Sequence, residues 1–270
     1  MRKFLPRIAI AAVVAIGATT LTGWAVSAAN AAPASVGTAA ASPATSNRDA
    51  TVQIYLTRHG KTILNSLDRV QGWSDSPLTA AGRDVAETVG KNLSAREGTF
   101  DAAYSADMVR HFETASIMLK AMGSKLTPTR LEGLREIDFG KFEGAENAKM
   151  YGPIMAKLGI TNPADLFTHN LDELMSAMKT VASTPDLPAE DCADVDVRMM
   201  ASLNEIASDA AKHREGKVLV VSSGISISCV LESMGAETPA TGIANGAVNL
   251  LEYKGGAWTV KSVNDTSYAQ

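Results

Sequence analysis

The feature that most constrains this chain is a short apolar strand that leads straight into an Arg-His-Gly turn. Residues 52–57 are apolar and rich in β-favouring side chains, which predicts a strand buried within a sheet. Arg58, His59 and Gly60 follow without a spacer. Neutral histidine is a competent nucleophile, and the planar fork of an arginine matches a phosphoryl group. Arg-His-Gly by itself is also typical of a basic surface turn, so the functional interpretation depends on motifs further along the chain.

Strands and helices alternate after this turn. Further strands are predicted at residues 100–104, 218–221, 247–253 and 258–263, and helical patterns lie between most of them. This alternation predicts an α/β fold, a three-layer α/β/α arrangement with a mostly parallel central sheet. Ligands of such sheets bind beyond the carboxyl ends of the strands. His59 and Ser223 both stand at such ends, which makes them candidates for one shared site.

A long helical segment separates the middle strands from the strand at residues 218–221. It runs from residue 145 to about 211, with interruptions expected at its prolines: Pro153, Pro163, Pro185 and Pro188. Four methionines occur at positions typical of core or lid packing rather than of a cofactor site: Met150, Met155, Met175 and Met178. We therefore expect a helical lid insertion over about residues 145–190, within a domain that spans residues 49–270.

The N-terminus is typical of an exported protein. Positively charged residues precede an uncharged apolar run over residues 8–21, and small residues around Ala31 then supply a cleavage pattern. This order predicts a signal peptide over residues 1–31, with an uncleaved membrane anchor as the alternative. Residues 32–48 are mostly small and polar, so we expect a flexible tether. The mature protein is then expected to be secreted, without stable insertion in a membrane.

Charge and cysteine content narrow the functional classes. The formal net charge of −4 offers no basic footprint for nucleic acid, so no nucleic-acid partner is expected. The two cysteines are Cys192 and Cys229. Cys229 sits in an apolar helical pattern, which favours a buried free thiol, although export would permit a disulfide between the two.

Four groups of residues follow one another in a fixed order along the chain. They are Thr57 to Thr62 with Asn65; Arg69 to Trp73 and Asp75 to Thr79 with Gly82; Tyr104 to Asp107 with Arg110 and Glu113 to Ala115; and Leu134 to Gly144. In this order they resemble the motifs of the histidine phosphatase superfamily, and more narrowly of its phosphoglycerate mutase-like branch. The last group has the form found in phosphatases of that branch rather than in its mutases. The resemblance runs from about Val52 to Val248 and implies the phosphoglycerate mutase-like fold.

The resemblance implies a phosphoryl-transfer site. His59 would attack phosphorus and become phosphohistidine, and Glu136 would protonate the leaving group and then activate water. Arg58 and Arg110 would grip the phosphoryl oxygens, and their charge would favour neutral His59. The other phosphate-binding positions that the resemblance implies are Asn65, Ser223 and Gly224. No metal and no other cofactor is expected, since the arginines supply the positive charge.

Ser223 is the position at which this chain departs from the family. The family ends a buried strand in Ser-His-Gly and has its second catalytic histidine there, whereas this chain has Ser222, Ser223 and Gly224. A serine keeps one hydroxyl donor but loses the charge and the reach of an imidazole. Losing one such electrostatic contact typically lowers the rate about 10²–10³-fold.

Other residues near the motifs have simpler expected positions. His111 directly follows Arg110, and neighbours on a helix point about 100° apart, so we expect His111 to face away from the site. His169 and His213 lie in or beside the helical segment, and nothing in the sequence directs either into the site. Lys61, where the family usually has Glu, is expected to face solvent, with a preference for an acidic substrate as the alternative.

These observations support two hypotheses. The first is a secreted phosphatase that hydrolyses a small-molecule or other phosphomonoester through His59, with an activity reduced by Ser223. The second is a pseudophosphatase that binds a phosphorylated or anionic ligand without turning it over. The joint presence of His59 and Glu136 favours the enzyme, because binding alone would require neither. Phosphoglycerate mutase activity is less expected, since an exported protein would not meet glycolytic substrates.

Overall fold

The predicted apolar strands form the centre of the molecule. The computed structural model describes residues 50–213 and 216–270, so the signal peptide and tether predicted over residues 1–48 lie outside the described residues. Six strands form one sheet: β1 (Thr51–Arg58), β2 (Ala102–Ser105), β3 (Thr129–Arg130), β4 (Lys217–Ser222), β5 (Val248–Lys254) and β6 (Ala257–Asp265).

The sheet is mixed, and its strands lie in the order β3-β2-β4-β1-β5-β6. β1 pairs in parallel with β4, β4 with β2, and β2 with β3, which is the parallel part that the alternation predicts. β5 pairs antiparallel with β1, and β6 pairs antiparallel with β5 across a turn at Gly255 and Gly256. Both glycines have positive φ (61° and 90°), the backbone conformation that a two-residue hairpin of this kind requires.

The described residues contain seven α-helices: α1 (Ile63–Ser66), α2 (Ala80–Glu97), α3 (Val109–Ala121), α4 (Asn147–Leu158), α5 (Leu171–Ala182), α6 (Cys192–His213) and α7 (Gly224–Ser233). Side chains alternate along β1 and therefore reach both faces of the sheet. Ile54 and Leu56 join a core that α6 and α7 cover, whereas Tyr55 joins a second core that α2 and α3 cover. The predicted three-layer α/β/α fold is confirmed.

The helical segment after residue 145 supplies α4, α5 and α6. The expected interruption at Pro153 is wrong, since α4 continues through this proline. Met150 and Ile154, on either side of it, are both buried in the core, and this packing holds the helix together despite the lost backbone hydrogen bond. The methionines pack as predicted: Met175 and Met178 of α5 are buried as well.

The two cysteines form a disulfide, so the expectation of a free thiol at Cys229 is wrong. Cys192 begins α6, and Cys229 lies in the middle of α7. Their Cα atoms are 5.3 Å apart, within the range that a disulfide spans. The apolar pattern correctly indicated that Cys229 is buried, but burial does not reveal which residue lies opposite. The bond ties two helices of the same layer together.

Candidate active site

Two parallel strands bring the candidate residues to one edge of the sheet. Arg58 ends β1 and pairs with Ser222, which ends β4. The His59 N–H donates to the Ser222 carbonyl at 3.0 Å, and α7 then begins at Gly224 with Ser223 as its N-terminal cap residue. The Arg-His-Gly turn and the turn after β4 are therefore neighbours, as the topology predicts.

His59 has the state and tautomer of a nucleophile. It is only 3% exposed, and its Nδ1 lies 2.8 Å from the carbonyl oxygen of Gly60. A carbonyl oxygen can only accept, so Nδ1 carries the proton and Nε2 of the neutral ring keeps a free electron pair. Burial, followed by the charges of Arg110 and Arg58, holds the pKa of His59 well below its ordinary value. The ring is therefore neutral at neutral pH.

The Arg58 guanidinium packs against the first turn of α7. Its Nη1 donates to the carbonyl oxygen of Ile243, which fixes one arm of the fork. A Cβ atom at Gly224 would stand only 3.2 Å from Arg58 Nε and 3.3 Å from Cζ, so glycine lets the helix approach this closely. The Nε atom is buried and has no hydrogen-bond partner. It is therefore left to donate to a ligand.

Arg110 is the largest fully buried side chain among the described residues. It lies on the first turn of α3. Its Nη2 donates to the Gly72 carbonyl at 2.7 Å, and its Nη1 donates to the Ser74 carbonyl at 3.1 Å and to Asp75 Oδ1 at 3.0 Å. The Nε atom is again buried without a partner. Asp75 is the counter-ion that sequence reasoning did not identify.

Glu143 holds the loop that binds Arg110. Its carboxylate accepts hydrogen bonds from the backbone N–H groups of Gly72, Trp73 and Ser74 at 2.7–3.2 Å. The N–H groups of this loop thus bind one carboxylate, while two of its carbonyls bind Arg110. Glu143 belongs to a recognised motif, but its spacing in the sequence did not reveal this role.

Glu136 lies at the N-terminus of α7 and lines the same cleft as Arg58. Its Oε1 accepts from the N–H groups of Ser226 at 2.7 Å and Ile137 at 3.0 Å, and its Oε2 accepts from Ile225 at 3.1 Å. These three bonds fix the orientation of the carboxyl group. Oε2 carries only one of them and so retains the greater capacity to hold or release a proton.

Arg198 of α6 positions the segment that carries Glu136, a role that the sequence did not predict. Its guanidinium donates to the carbonyls of Gly133, Arg135 and Glu136 at 2.7–3.0 Å and forms an ion pair with Glu190. Three backbone acceptors on one side chain make this loop rigid. A single arginine in an amphipathic helix gives no sequence signal for such a role, because its partners lie about 60 residues away.

Asn65 shares the cleft but not the hydrogen-bond network of the other residues. Its Oδ1 accepts from the Thr62 N–H at 3.2 Å, and Thr62 Oγ1 accepts from the Asn65 N–H at 3.1 Å, which closes a capping box on α1. The oxygen is therefore used locally. The amide nitrogen is the group that Asn65 offers to the cleft.

Ser223 and His111 are in direct contact, so the expectation that His111 faces away is wrong. Both residues are fully buried, and His111 Nε2 lies 2.6 Å from Ser223 Oγ. The His111 ring stands edge-to-face against His59, with centroids 5.2 Å apart. The first turn of α3 is covered on two sides, since Arg110 reaches the Gly72–Asp75 loop while His111 reaches the end of β4. An angle of 100° between neighbours therefore does not exclude His111 from the site.

His169, His213 and Lys61, which the sequence analysis also considered, lie away from the contact between His111 and Ser223. His169 lines the cleft and pairs with Glu173 at 3.0 Å, whereas the His213 side chain is 65% exposed beside Asp209. Lys61 is exposed, as expected.

Buried polar atoms without partners indicate what the site binds. Among the described residues, four buried side-chain nitrogen or oxygen atoms have no hydrogen-bond partner, and three of them are Arg58 Nε, Arg110 Nε and His111 Nδ1. Buried polar atoms without partners are costly and rare in folded proteins. Two of the three belong to cations beside the neutral imidazole of His59. This arrangement fits an anion with several acceptor oxygens, such as a phosphoryl group.

A cleft of about 870 Å³ opens above these residues. Arg58, Asn65, Glu136 and Gly224 line it, whereas His59, Arg110 and Ser223 are buried and do not belong to its lining. Much of its wall comes from apolar side chains of α4 and α5: Met150, Ile154, Leu171, Leu174 and Met175. A cleft of this size with a few polar groups fits a small molecule.

Residues 50–213 and 216–270 contain no group of three or more His, Cys, Asp or Glu side chains that could hold a metal ion. None of the helices there combines the length and the apolar character that crossing a membrane requires.

Comparisons with known proteins identify the family and the fold of this chain. The family model of the histidine phosphatase superfamily (branch 1) matches residues 54–266. The "Probable phosphoglycerate mutase GpmB" of Proteus mirabilis (strain HI4320) is 30% identical over 231 residues, covering 80% of this chain and 94% of that protein. The crystal structure of phosphoglycerate mutase from Bacillus anthracis str. Sterne is 37% identical and has a TM-score of 0.77, covering 83% of this chain and 97% of the other.

A more distant structure shares the fold. Mycobacterial glucosyl-3-phosphoglycerate phosphatase is 19% identical, with a TM-score of 0.59, and the match covers 80% of this chain and 99% of the other. At that identity the likeness concerns the fold alone. The family model extends over most of the chain and includes the strand ends, the arginines and the loops described above. This chain therefore belongs to the histidine phosphatase superfamily, branch 1.

Proposed function

We propose that this chain is a phosphatase that hydrolyses a phosphomonoester through a phosphohistidine intermediate on His59. The observation that carries the proposal is the arrangement around this ring. A buried neutral imidazole keeps a free electron pair on Nε2, and two arginines beside it each hold an unpartnered Nε donor. Phosphoryl transfer needs a nucleophile and stabilisation of charge on the phosphoryl oxygens, and these groups supply both.

The first step forms the P–N bond. His59 Nε2 attacks phosphorus while the bond from phosphorus to the ester oxygen breaks. Arg58 and Arg110 bind the phosphoryl oxygens, with Asn65 and the Ser223 hydroxyl as further donors, and Gly224 leaves room for Arg58. The Glu136 carboxyl gives its proton to the departing oxygen, so that an alcohol leaves.

The second step regenerates the enzyme. A water molecule attacks the phosphorus of phosphohistidine, Glu136 takes a proton from it, and the P–N bond breaks. Inorganic phosphate and neutral His59 result. The fixed orientation of Glu136 suits both steps, because the same oxygen donates in the first and accepts in the second.

Export of the mature protein is part of the proposal. The N-terminal sequence has the order of a signal peptide. The disulfide between Cys192 and Cys229 supports an oxidising compartment, since disulfides persist there and are rare in the cytosol. The substrate is then a phosphomonoester that is available outside the cytosol.

Two other functions have support from specific observations. The names of the relatives from Proteus mirabilis and Bacillus anthracis favour a mutase, which would move the phosphoryl group between two hydroxyls of phosphoglycerate. Ser223, in place of the second histidine of the family, favours a pseudophosphatase that binds an anion without turnover. The intact pair of His59 and Glu136 argues against the second of these.

The test uses residues 32–270 and p-nitrophenyl phosphate. We expect one phosphate released for each p-nitrophenol over many turnovers, and complete loss of this activity in His59→Ala, because that variant lacks the proposed nucleophile. His213→Ala is the matched control, since its side chain is exposed away from the site, and it should keep full activity. A reaction with a ³²P-labelled phosphomonoester, quenched during turnover, should leave ³²P on the protein. Loss of this label in acid and its absence in His59→Ala would identify phosphohistidine on His59.

Three outcomes would contradict the proposal. Equal rates in the native and His59→Ala proteins would remove His59 from the mechanism. Interconversion of 3- and 2-phosphoglycerate at a rate above that of phosphate release would make the protein a mutase. Binding of inorganic phosphate without any turnover would leave the pseudophosphatase.

A further inference from the structure

The site contains a histidine that the proposed mechanism leaves unused. His111 is fully buried, its Nε2 lies 2.6 Å from Ser223 Oγ, and its ring contacts the ring of His59. It comes from α3, not from the end of β4. Ser223 occupies the position at which the family resemblance leads one to expect a histidine.

The direction of the hydrogen bond between His111 and Ser223 follows from the surroundings of the imidazole. Burial and the charge of Arg110 hold the pKa of His111 well below its ordinary value, so the ring carries one proton. A proton on Nδ1 would be a buried donor without a partner, close to the positive charge of Arg110. The contact with Ser223 Oγ forms with either tautomer, but a proton on Nε2 leaves an electron pair on Nδ1, which the charge of Arg110 attracts instead of repelling. His111 therefore donates, Ser223 accepts, and the hydroxyl proton of Ser223 remains free.

The free hydroxyl proton lies beside the anion-binding groups. Ser223 directly precedes Gly224, which packs against the Arg58 guanidinium. A hydroxyl that accepts one hydrogen bond is a stronger donor in the next, because linked hydrogen bonds polarise one another. A phosphoryl group bound by Arg58 would supply the next acceptor.

We propose that His111 is a positioning residue for phosphoryl transfer, which acts by donating from Nε2 to Ser223 Oγ and so directs the Ser223 hydroxyl proton to a phosphoryl oxygen. The two residues together replace a single histidine at the end of β4. His111 supplies the polarising imidazole, and Ser223 supplies the contact with the ligand. This inference rests on the proposed phosphatase function of the same site.

Four variants test whether the two residues act as one unit. Ser223→Ala removes the donor, and we expect kcat for p-nitrophenyl phosphate to fall about 10²-fold. His111→Leu replaces the imidazole by an apolar side chain of similar size and should lower kcat about 10-fold or more. His111→Gln keeps an N–H group near the position of Nε2 and should stay within about threefold of the native kcat. The double variant His111→Leu with Ser223→Ala should lose no more than Ser223→Ala alone, because the relay is already broken.

Several results would overturn the proposal. Full activity in His111→Leu would show that the imidazole is only packing. Losses that multiply in the double variant would show that His111 does not act through Ser223. A defect in His111→Gln as large as in His111→Leu, with both proteins folded by thermal unfolding, would show that the N–H donor is not the feature that matters.

The role of His111 can be tested even if the native protein is not a phosphatase. If the native protein releases no phosphate, the same variants are compared by their dissociation constants for inorganic phosphate. A weaker affinity in Ser223→Ala and His111→Leu, without further loss in the double variant and with recovery in His111→Gln, supports the pair. An unchanged affinity in His111→Leu overturns it.

Discussion

Arg110 shows how single residues are held in this site. A buried guanidinium is costly unless its donors are satisfied, and here two backbone carbonyls and Asp75 satisfy all but the Nε edge. The side chain is therefore rigid before any ligand arrives, which lowers the entropy lost on binding. The motif predicts the arginine, but its partners belong to a loop that sequence spacing alone does not place.

Gly224→Ala tests the close approach between α7 and Arg58. The added Cβ would stand 3.2 Å from Nε, so the guanidinium must move by a few tenths of an ångström, although Nη1 is anchored on Ile243. We expect KM for p-nitrophenyl phosphate to rise about 3–10-fold, which corresponds to about 1 kcal/mol of lost binding. Steady-state kinetics measure the change.

Gly152→Ala is the matched control for this variant. Gly152 lies within α4, and its Cβ would meet no atom within 4 Å apart from its chain neighbours and the backbone of its own helix. An alanine there should leave KM unchanged and stabilise the fold slightly, because alanine favours a helix more than glycine does. An unaltered KM in Gly224→Ala would mean that Arg58 does not bind the phosphoryl group in its observed position.

His111 shows where residue-level prediction from sequence ends. Helix geometry gives the angle between His111 and Arg110, but it does not give the number of sides of α3 that are buried. That number depends on the end of β4, where Ser223 lies 112 residues further along the chain. The motifs placed His59 and Glu136 near one edge of the sheet, where the structure also has them, whereas the orientation of His111 was wrong because a distant partner decided it.

At the scale of elements, α6 and α7 together hold the Glu136 segment. α6 contributes Arg198, which binds three carbonyls of residues 133–136, and α7 contributes two N–H groups that bind the Glu136 carboxylate. The disulfide from Cys192 to Cys229 joins the same two helices. We infer that the bond stabilises the arrangement that presents the carboxyl group, in addition to stabilising the fold.

The double variant Cys192→Ala with Cys229→Ala tests this inference. The bond closes a loop with a sequence separation of 37, for which chain entropy gives about 4 kcal/mol of stability, against typical measured values of about 2–4 kcal/mol. We expect the free energy of unfolding in urea to fall by about that amount. We also expect kcat to fall more than KM changes, since the proposed mechanism assigns proton transfer to Glu136 and substrate binding to Arg58 and Arg110.

Dithiothreitol supplies the comparison for the cysteine variant. It should destabilise the native protein by a similar amount and leave the double alanine variant unaffected. An equal stability of the native and variant proteins under oxidising conditions would show that the bond contributes nothing measurable to the fold.

At the scale of the whole molecule, the apolar pattern determined most of what could be predicted. The apolar strand segments and the helical patterns between them predict the layers, and the parallel strands bring Arg58 and Ser222 to one edge. The pattern could not predict the disulfide or the passage of α4 through Pro153. Both depend on packing between elements, which local sequence does not record.

The two buried histidines also set how the stability of the whole molecule depends on pH. The pKa values of His59 and His111 lie well below the ordinary value in the folded protein, whereas in the unfolded chain both titrate near 6.5. Below that pH the unfolded state binds two protons that the folded state does not. The contribution of the two neutral histidines to the free energy of unfolding is therefore complete above about pH 6.5. It is lost as the pH falls towards the depressed pKa values, by about 1.4 kcal/mol per pH unit for each histidine.

His111→Gln isolates one of these two contributions. Between pH 6 and 5, the free energy of unfolding should fall less steeply in this variant than in the native protein, by about 1.4 kcal/mol per pH unit. Asp196 opposes the trend, because burial raises the pKa of its carboxyl to about 6 and the folded state then binds a proton, but it does so equally in both proteins. Urea unfolding at pH 7.5, 6.0, 5.5 and 5.0 measures the slopes. Identical slopes in the native and His111→Gln proteins would show that His111 is not held neutral by the fold.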